Sequence, residues 1–402
     1  MVTQRTESSG PGAVNLLGGS SQPTFFALEE PRGPQVSRPE GSDAQRVRVW
    51  ARSLSGMQKE AIVASSQPGP AWRLASDEGP YLSGFDAAPC PLAFMTVGMI
   101  SSYMDALHAA ARHRGIDIGD VVLAQDNRYT MEGSALQGTM TGGALPVALD
   151  VRIGQTVDDS LARDLVAEAV AASPVGGLQR ESHTSRFRLA VNGEPLALGR
   201  VTPLPEPVAS QPDPRERFER VAPATEADGG QVSRLYAVTP VAGVEGGLGS
   251  SLRAQQRREL HVRAVCRRRT GGVNEIRQEL HSPLGSTFQF LSCDGVGEPG
   301  IAPDALCYMA AGVAFCFMTQ LGRFATIMKR ELTGYRLVQD TTYVKGTPGH
   351  PGTVGAVDTH VFLDTPDGAD FARHCLDMGE RTCFLHALYR TPLVPNITVT
   401  RV

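Results

Sequence analysis

An internal repeat is the feature that most constrains the fold of this chain of 402 residues. Two stretches, which begin near residues 46 and 260, carry the same order of elements: two strand-like runs joined by a turn that contains glycine. A constant separation of matching residues over a whole segment is typical of duplication, and chance similarity would not keep such a register. The pairs that lie 215 positions apart are Arg48 and Arg263, Arg52 and Arg267, and Pro68 and Pro283.

The register continues through a long apolar helix in each stretch. Proline precedes both helices, which is a common start signal, and the predicted helices cover residues 92–114 and 306–330. A strand follows each helix, and a second helix begins near Ser173 and near Cys383. The separation is 214 in the long helices and 210 at the second helix, so it changes only where loops can change length. We therefore predict two copies of one unit.

The predicted first unit spans residues 44–200 and the predicted second unit spans residues 232–402. Residues 201–231 hold six prolines, which is typical of an extended, semi-rigid linker. Residues 1–43 are rich in Gly, Ser, Pro and Gln and predict a disordered tail. The order within each unit is strands, long helix, strands, helix and final strand. This order predicts an α+β fold in which an antiparallel sheet packs on long helices.

Charge and hydropathy argue against several classes of protein. Lys and Arg number 38 against 42 Asp and Glu, a net charge of −4, so bulk charge does not favour nucleic-acid or membrane-surface binding. The longest apolar run, residues 305–318, is short of the roughly 20 residues that span a bilayer, and predicts a buried helix. The N-terminal sequence lacks a basic start followed by an apolar stretch. We therefore expect a cytoplasmic location with reduced thiols.

Two of the seven cysteines have the setting of a redox pair. Cys316 lies in the apolar helix of the second unit, and Cys383 opens the last helix. A thiol at a helix N-terminus is favoured as thiolate, and Arg381 and His386 are close in sequence. A thiolate that attacks a peroxide and a second thiol that closes a disulfide are the parts of a thiol peroxidase. The alternative is that both are small core residues. The cysteines show no metal-like spacing, so we expect no metal and no cofactor.

The residues around the two thiols resemble the OsmC/Ohr family of hydroperoxide reductases. In that family a helix with the pattern P-x-x-L-x-Y-x-x-A-G-x-A-x-C carries the first Cys, and a later helix opens with the second Cys. The resemblance implies that two units entwine into one body, here as a pseudo-dimer within one chain. It also implies that Cys316 attacks and Cys383 resolves, whereas the helix-dipole argument favours Cys383 as the thiolate. The matching residues are Pro303, Leu306, Tyr308, Ala311, Gly312, Ala314, Cys316, Cys383 and Leu388.

The first unit departs from this pattern, because Ser102 and Ser173 stand where the second unit has its two thiols. A hydroxyl cannot replace a thiol in redox chemistry, so we expect this unit to be structural or to line the pocket of the other unit. A hydrolase that uses Ser102 with His108 is a further alternative.

The resemblance also implies an arginine beside the thiolate, provided by an early strand and held by a carboxylate. The candidates are Arg263 and Arg267, with Arg48, Arg52 and Arg277 as further possibilities. Cys307 occupies the place of the family's Glu, and the nearest acid in that turn is Asp304. Because of this departure, the sequence does not decide whether a carboxylate holds an arginine beside the thiolate.

The predicted function is that of a thiol-dependent peroxidase for organic hydroperoxides. An external dithiol would regenerate the pair, and a further homodimer is left open. One alternative is the same pocket adapted to thiol-mediated transfer or hydrolysis, and another is a non-enzymatic binder of hydrophobic ligands. Apolar and polar side chains beside the thiols would form the substrate pocket. The predicted pocket residues are Phe315, Phe317, Gln320, Phe384 and His386, each with a packing role as its alternative.

Overall fold

The computed structural model describes residues 12–28, 35–40, 43–206, 208–219, 221, 230–237, 258–294, 300–347 and 349–402. Both long helices that the sequence predicts are confirmed, and each begins one residue before the predicted start. The helices in these ranges are α1 (Leu16–Gly19), α2 (Pro91–Arg114), α3 (Asp159–Ala172), α4 (Pro174–Arg180), α5 (Arg215–Phe218), α6 (Ala305–Ile327), α7 (Gly368–Thr382) and α8 (Phe384–Arg390).

Strands alternate with these helices along the chain. In chain order they are β1 (Phe26–Ala27), β2 (Gln45–Ser53), β3 (Lys59–Ser65), β4 (Trp72–Ser76), β5 (Val121–Glu132), β6 (Thr141–Ala144), β7 (Ala148–Ile153), β8 (Ser185–Val191), β9 (Glu194–Leu196), β10 (Thr202–Pro203), β11 (Val232–Tyr236), β12 (Arg258–Arg268), β13 (Val273–Ser282), β14 (Thr287–Cys293), β15 (Gly334–Val344), β16 (Thr353–Asp364) and β17 (Asn396–Arg401).

The strands form two sheets, and each sheet contains strands from both units. The first sheet has the order β1-β4-β3-β2-β15-β16-β8-β10, with β9 paired to β8. The second has the order β11-β14-β13-β12-β5-β7-β17, with β6 paired to β5. Antiparallel pairing of β2 with β15 joins the units in the first sheet, and antiparallel pairing of β12 with β5 joins them in the second. The fold is therefore mixed α+β with strands exchanged between the units.

The sheets are not purely antiparallel, which corrects the sequence prediction. The pairs β16–β8 and β17–β7 are parallel, and both lie at the places where the last strand of one unit joins the other unit. Parallel neighbours need a long connection between them, and here each pair spans the two units. A pattern read within one unit predicts only the antiparallel hairpins.

The two long helices pack against each other between the sheets. Helix α2 contacts β12 and β13 of the second sheet, and α6 contacts β2 and β15 of the first sheet. Gly98 and Gly312 allow this close approach, because a Cβ on Gly98 would lie 2.5 Å from the Ala305 carbonyl oxygen and one on Gly312 would lie 2.9 Å from the Met95 nitrogen. The two glycines therefore set the distance between the units at their centre.

Helix α6 is long and apolar enough to cross a membrane by length and composition alone. Its most apolar window has a mean hydropathy of 1.5, but 94% of that window is buried inside the protein. The surface that would face lipid is already covered by α2 and the first sheet. Helix α6 is therefore a core helix, as the sequence predicts.

The N-terminal segment differs from the disordered tail that its composition predicts. Residues 12–28 include α1 and β1, and Leu17, Phe25 and Phe26 are buried at 5%, 3% and 0% exposure. The Gln58 side chain accepts hydrogen bonds from two backbone N–H groups of α1. These apolar side chains give the segment enough burial to offset the entropy of ordering it. Residues 1–11 lie outside the described part of the chain.

The proline-rich segment between the units is anchored to the first sheet where the structure describes it. Strand β10 extends the sheet beside β8, and Phe218 of α5 is 5% exposed. The Asp213 carboxylate accepts a hydrogen bond from Arg336 at 2.7 Å. This part of the predicted linker therefore packs on the fold, which the proline count alone does not predict.

Candidate functional site

The two thiols that the sequence predicts as a redox pair lie side by side in the core. Cys316 is in the middle of α6, and Cys383 caps the N-terminus of α8 at its junction with α7. Their exposed fractions are 2% and 0%, and each thiol shifts the pKa of the other. Both cysteines are free thiols. The structure therefore holds the pair in its reduced form, within reach of a disulfide.

The surroundings set the order in which the two thiols ionise. Burial raises the pKa of Cys316 well above its usual range, and the hydrogen bond shared with Cys383 adds to this rise. Burial acts on Cys383 in the same direction. However, the hydrogen bond from Cys316, the adjacent His386 ring and the His386 backbone N–H together hold the pKa of Cys383 well below its usual range. Cys383 therefore ionises first.

Aromatic side chains enclose the pair. Phe317 packs against His386 with ring centroids 5.1 Å apart, and Phe187 of β8 contacts both rings. Phe384 packs against Tyr129 of β5 at 5.9 Å. In the described part of the chain, neither ring nitrogen of His386 has a hydrogen-bond partner. The imidazole is close enough to Cys383 to lower the pKa of its thiol.

The other two predicted pocket residues have packing or helical partners. Phe315 packs against Phe94 with centroids 5.3 Å apart, in the interface between α2 and α6. The Gln320 side chain is 3% exposed and accepts a hydrogen bond from Arg323 one turn later, at 3.3 Å. Phe315 and Gln320 therefore hold the helix in place, whereas Phe317, Phe384 and His386 surround the thiols.

A buried acid and a buried base from the first unit face Cys316, and the sequence does not predict them. The Glu78 carboxylate accepts hydrogen bonds from Thr319 at 3.0 Å and from Tyr81 at 2.8 Å. Thr319 lies one turn after Cys316 on α6. The Lys59 ammonium is fully buried and donates to the Met57 carbonyl oxygen at 2.5 Å.

Burial brings the pKa values of Lys59 and Glu78 closer together. It lowers the pKa of Lys59, while the nearby Glu78, Asp77 and Cys316 oppose this shift. It raises the pKa of Glu78, while Lys59 opposes that shift. Groups whose pKa values are pushed together in this way can hold or pass a proton, which makes the cluster suited to acid–base work beside the thiols.

One signal for this cluster is present in the sequence. Lys59 opens a strand whose next five residues are all buried, and a lysine is rarely buried without a partner. Its match at the separation of 215 is Asn274, which is also buried. The partner could not be found from spacing, because the Thr319–Glu78 bond joins residues 241 positions apart.

The predicted arginines lie on the sheets rather than at the thiols. Arg263 donates to Asp126 on the neighbouring strand at 2.7 Å, and Arg267 is exposed on β12. In a strand, side chains alternate between faces, and these positions point away from the helix layer. The further candidates make similar in-sheet pairs: Arg48 with Asp340 at 2.8 Å, Arg52 with Glu60 at 2.6 Å and Arg277 with Glu279 at 2.7 Å.

The carboxylate nearest the start of the thiol helix serves as a cap. Asp304 accepts a hydrogen bond from the backbone N–H of Cys307 at 2.7 Å and from the Gln45 side chain at 2.6 Å. Burial raises the pKa of Cys307 well above its usual range, so it stays a protonated core thiol. Asp304 therefore stabilises α6, and Glu78 is the carboxyl group that lies near Cys316.

The corresponding pair in the first unit keeps the same arrangement with hydroxyls. Ser102 in α2 and Ser173 at the N-terminus of α4 are joined by a hydrogen bond of 2.9 Å. Ser173 also accepts from the Val175 backbone N–H at 3.1 Å. A cavity of about 340 Å³ opens beside the two serines, and neither Cys316 nor Cys383 lines it. The cavity therefore lies beside the serine pair, and residues of both units line it.

The hydrolase alternative finds no support in this geometry. The partner of Ser102 is Ser173, and the His108 Nε2 atom has no hydrogen-bond partner among the described residues. Burial lowers the pKa of His108 to about 4, and the positive charges of Arg268 and Arg112 add to the shift. The imidazole does not contact the hydroxyl that it would have to activate.

Comparison with known proteins gives limited information. No family model matches the chain, and no curated protein matches it. One similar structure is an OsmC-like hydroperoxide resistance protein from Jannaschia sp. CCS1, 20% identical, covering 30% of this chain and 79% of that chain with a TM-score of 0.19. Another, from Psychrobacter arcticus 273-4, is described as an osmotic stress induced and detoxification response protein. It is 17% identical and covers 32% of this chain and 83% of that chain, with a TM-score of 0.23.

The names of both neighbours belong to the group that the sequence motifs resemble. Alignments with TM-scores this low carry no argument about the activity of this chain. The function is therefore argued from the geometry of the two pairs.

Proposed function

We propose that the chain is a thiol-dependent peroxidase that reduces organic hydroperoxides through Cys316 and Cys383. The observation that carries the proposal is the placement of two buried free thiols at the middle of α6 and the start of α8, where their pKa values are shifted in opposite directions. One thiol is thereby prepared as the thiolate, and the other stays protonated within bonding distance. These are the two states that a two-cysteine mechanism needs at its start.

The proposed reaction has two steps in the protein. The thiolate attacks the terminal oxygen of the hydroperoxide, the O–O bond breaks, and the leaving alkoxide takes up a proton to become an alcohol. The attacking sulfur is now a sulfenic acid. The second thiol attacks this sulfur, an S–S bond forms, and water leaves. An external dithiol then reduces the disulfide, so the balance is one hydroperoxide and one dithiol to one alcohol, one water and one disulfide.

Two arguments assign the attacking thiol differently. The family resemblance assigns Cys316 as attacking and Cys383 as resolving, whereas the hydrogen bonds favour Cys383 as the first thiolate. The buried Lys59–Glu78 cluster lies on the Cys316 side and is suited to provide the proton for the alkoxide. We propose that Cys383 is the thiolate of the resting pair. A trapping experiment, described below, identifies which thiol attacks the hydroperoxide.

Access to the thiols needs a local opening, because both are buried. Strand β6 of the first unit lies directly on the start of α8, where a Cβ on Gly142 would approach the Thr382 carbonyl oxygen to 2.6 Å. Arg381 donates to the Gly138 carbonyl oxygen at 2.9 Å, and Arg390 donates to that of Gly142 at 3.3 Å. We propose that the substrate enters where this segment lifts from α8, beside the apolar side chain of Phe384.

The test is stopped-flow consumption of cumene hydroperoxide with dithiothreitol as reductant. We expect Cys316→Ser and Cys383→Ser to lose turnover by at least about a thousandfold, since either change removes one of the two steps. Cys375→Ala is the matched control, because this buried thiol of α7 bonds to the Leu321 carbonyl oxygen and not to the pair. Wild type no faster than either serine variant would end the proposal.

The single variants also decide which thiol attacks. A sulfenic-acid reagent such as dimedone should label the variant that keeps the attacking thiol, after one addition of hydroperoxide. Labelling of Cys383 in Cys316→Ser supports the assignment from hydrogen bonding. Labelling of Cys316 in Cys383→Ser supports the assignment from resemblance.

A second candidate function is thiol-mediated transfer or hydrolysis in the same pocket. The observation that favours it is that a lysine and a glutamate face Cys316. A covalent adduct on either thiol, detected by mass spectrometry with an activated ester and absent with hydroperoxide, would favour this candidate.

We also propose that the first unit (44–200) and the second unit (232–402) are copies fused as an intramolecular pseudo-dimer. What supports this is that the serine pair and the thiol pair occupy matched places, each on a long central helix and at the start of a short helix. The exchange of strands between the sheets is the arrangement that two entwined units require. The proposed location is the cytoplasm, where dithiol reductants are present.

A further inference from the structure

The cavity beside the serine pair has the size and walls of a small-molecule site. Its volume of about 340 Å³ falls in the range of ligand pockets, roughly 300–1,000 Å³. Small or apolar side chains form its walls on three elements: Ala106 and Ala109 from α2, Ala172 from α3 and Leu306 from α6. The hydroxyls of Ser102 and Ser173, which line the cavity, bond to each other. A ligand therefore does not have to provide polar groups to satisfy them.

The carboxylates that line the cavity already have donors. Asp105 accepts from Asn274 at 2.7 Å and from Arg268 at 2.9 Å. Asp304 accepts from a backbone N–H and from a glutamine side chain, as described above. Glu168 is paired with Arg114, and Asp294 with Arg268. None of the four therefore needs a cation from a ligand.

The mouth of the cavity carries two cations. Arg112 near the end of α2 and Lys345 just after β15 both line the cavity and are exposed. Neither makes an ion pair or a hydrogen bond with any residue that the structure describes. Lys345 also lines an adjoining cavity of about 440 Å³, so it stands where the two spaces meet. The charge of Lys345 acts on Asp105 across the cavity without forming an ion pair. Two cations without ion pairs over an apolar wall fit a ligand with an anionic head and a hydrocarbon body.

We propose that the cavity beside the serine pair binds an amphipathic carboxylate, with its head at Arg112 and Lys345 and its chain along the alanine wall. This site is separate from the thiol pair and does not depend on the proposed peroxidase activity. It would give the unit that has lost the thiols a binding role.

The experiment is isothermal titration calorimetry of the full chain with decanoate, and with decylamine as the probe of opposite charge. We expect decanoate to bind at least tenfold more tightly than decylamine. The double variant Arg112→Gln with Lys345→Gln should weaken decanoate binding about tenfold or more. Ala109→Leu should do the same by filling the cavity from an exposed helix position, where leucine supports the helix.

Arg163→Gln is the matched control, since Arg163 is an exposed arginine of α3 that does not line the cavity. It should bind decanoate as wild type does. Circular dichroism checks that Ala109→Leu folds, and the double variant decides the question if it does not. Absence of decanoate binding, equal binding of decylamine, or wild-type affinity in the double variant would each overturn the proposal.

Discussion

The thiol pair of the second unit and the serine pair of the first unit occupy matched positions on the helices but differ in their side chains and surroundings. Each pair brings the middle of a long helix to the start of a short one. The thiols are closed in by aromatic rings and by the buried Lys59–Glu78 cluster, whereas the serines border an open cavity that residues of both units line. The thiol pair therefore has reactive groups without open space, and the serine pair has open space without thiols.

The largest expected effect comes from separating the two units. The second unit alone, residues 232–402, loses β2 as the neighbour of β15, β5 as the neighbour of β12 and α2 as the neighbour of α6. We expect it to be insoluble or to self-associate, as judged by size-exclusion chromatography with light scattering. Co-expression with residues 12–231 as a second chain is the control and should restore a soluble 1:1 complex. A well-folded monomer of the second unit would contradict the proposed pseudo-dimer.

The next effect comes from removing the buried base beside the thiols. Lys59→Met removes the cation that most lowers the pKa of the Glu78 carboxyl, and we expect a loss of about 3 kcal/mol in the free energy of unfolding. Turnover of cumene hydroperoxide should fall about a hundredfold if the cluster provides the proton. Lys329→Met, at an exposed lysine, is the control for both measurements. The double variant Lys59→Met with Glu78→Gln should regain stability but not rate, and recovery of rate would remove the cluster from the mechanism.

Beside the serine pair the comparable buried acid is Asp105, and its effect depends on pH. Burial raises the pKa of Asp105 to about 6 from 3.8, so the folded state binds a proton that the unfolded state has lost between these values. Stability from this group is therefore present at low pH and is lost as pH rises toward 6, by up to about 3 kcal/mol. Urea unfolding at pH 4.5 and pH 7.5 should show this difference in wild type relative to Asp105→Asn. The comparison with the variant also separates Asp105 from His108, whose lowered pKa acts in the opposite direction. Parallel pH profiles for the two proteins would contradict the assignment.

The smallest effect is expected from giving the first unit a thiol pair. Ser102→Cys with Ser173→Cys, made in a chain that also carries Cys316→Ser and Cys383→Ser, should form one disulfide when treated with diamide. The hydroxyl oxygens are 2.9 Å apart, so the sulfurs need little movement. Mass spectrometry should show the loss of two hydrogens. Peroxide turnover should stay near background, because the Lys59–Glu78 cluster faces Cys316 rather than the serine pair, and turnover near wild type would show that the pair alone is sufficient.

The sequence predicts the features that depend on local patterns, and it does not predict contacts between residues far apart in the chain. The long helices and the approach of Cys316 to Cys383 come from local patterns and one family motif, and the structure agrees with both. The Glu78–Thr319 bond and the parallel pairing of β16 with β8 join residues far apart in the chain, where spacing carries no information. The arginines were assigned to the thiols by analogy, and strand alternation instead places Arg263 beside Asp126. Composition likewise missed the N-terminal segment, because a few buried side chains such as Phe26 decide its order.

The exchange of β2 and β5 with strands of the other unit has a consequence for assembly. In a dimer of separate chains, such pairing would depend on protein concentration and would allow mismatched partners. A covalent connection turns the encounter into an intramolecular one, which no longer depends on protein concentration. Each molecule then contains one half with the thiol pair and one half with the serine pair in fixed stoichiometry. The two halves can therefore diverge in chemistry without any mechanism that sorts them into mixed pairs.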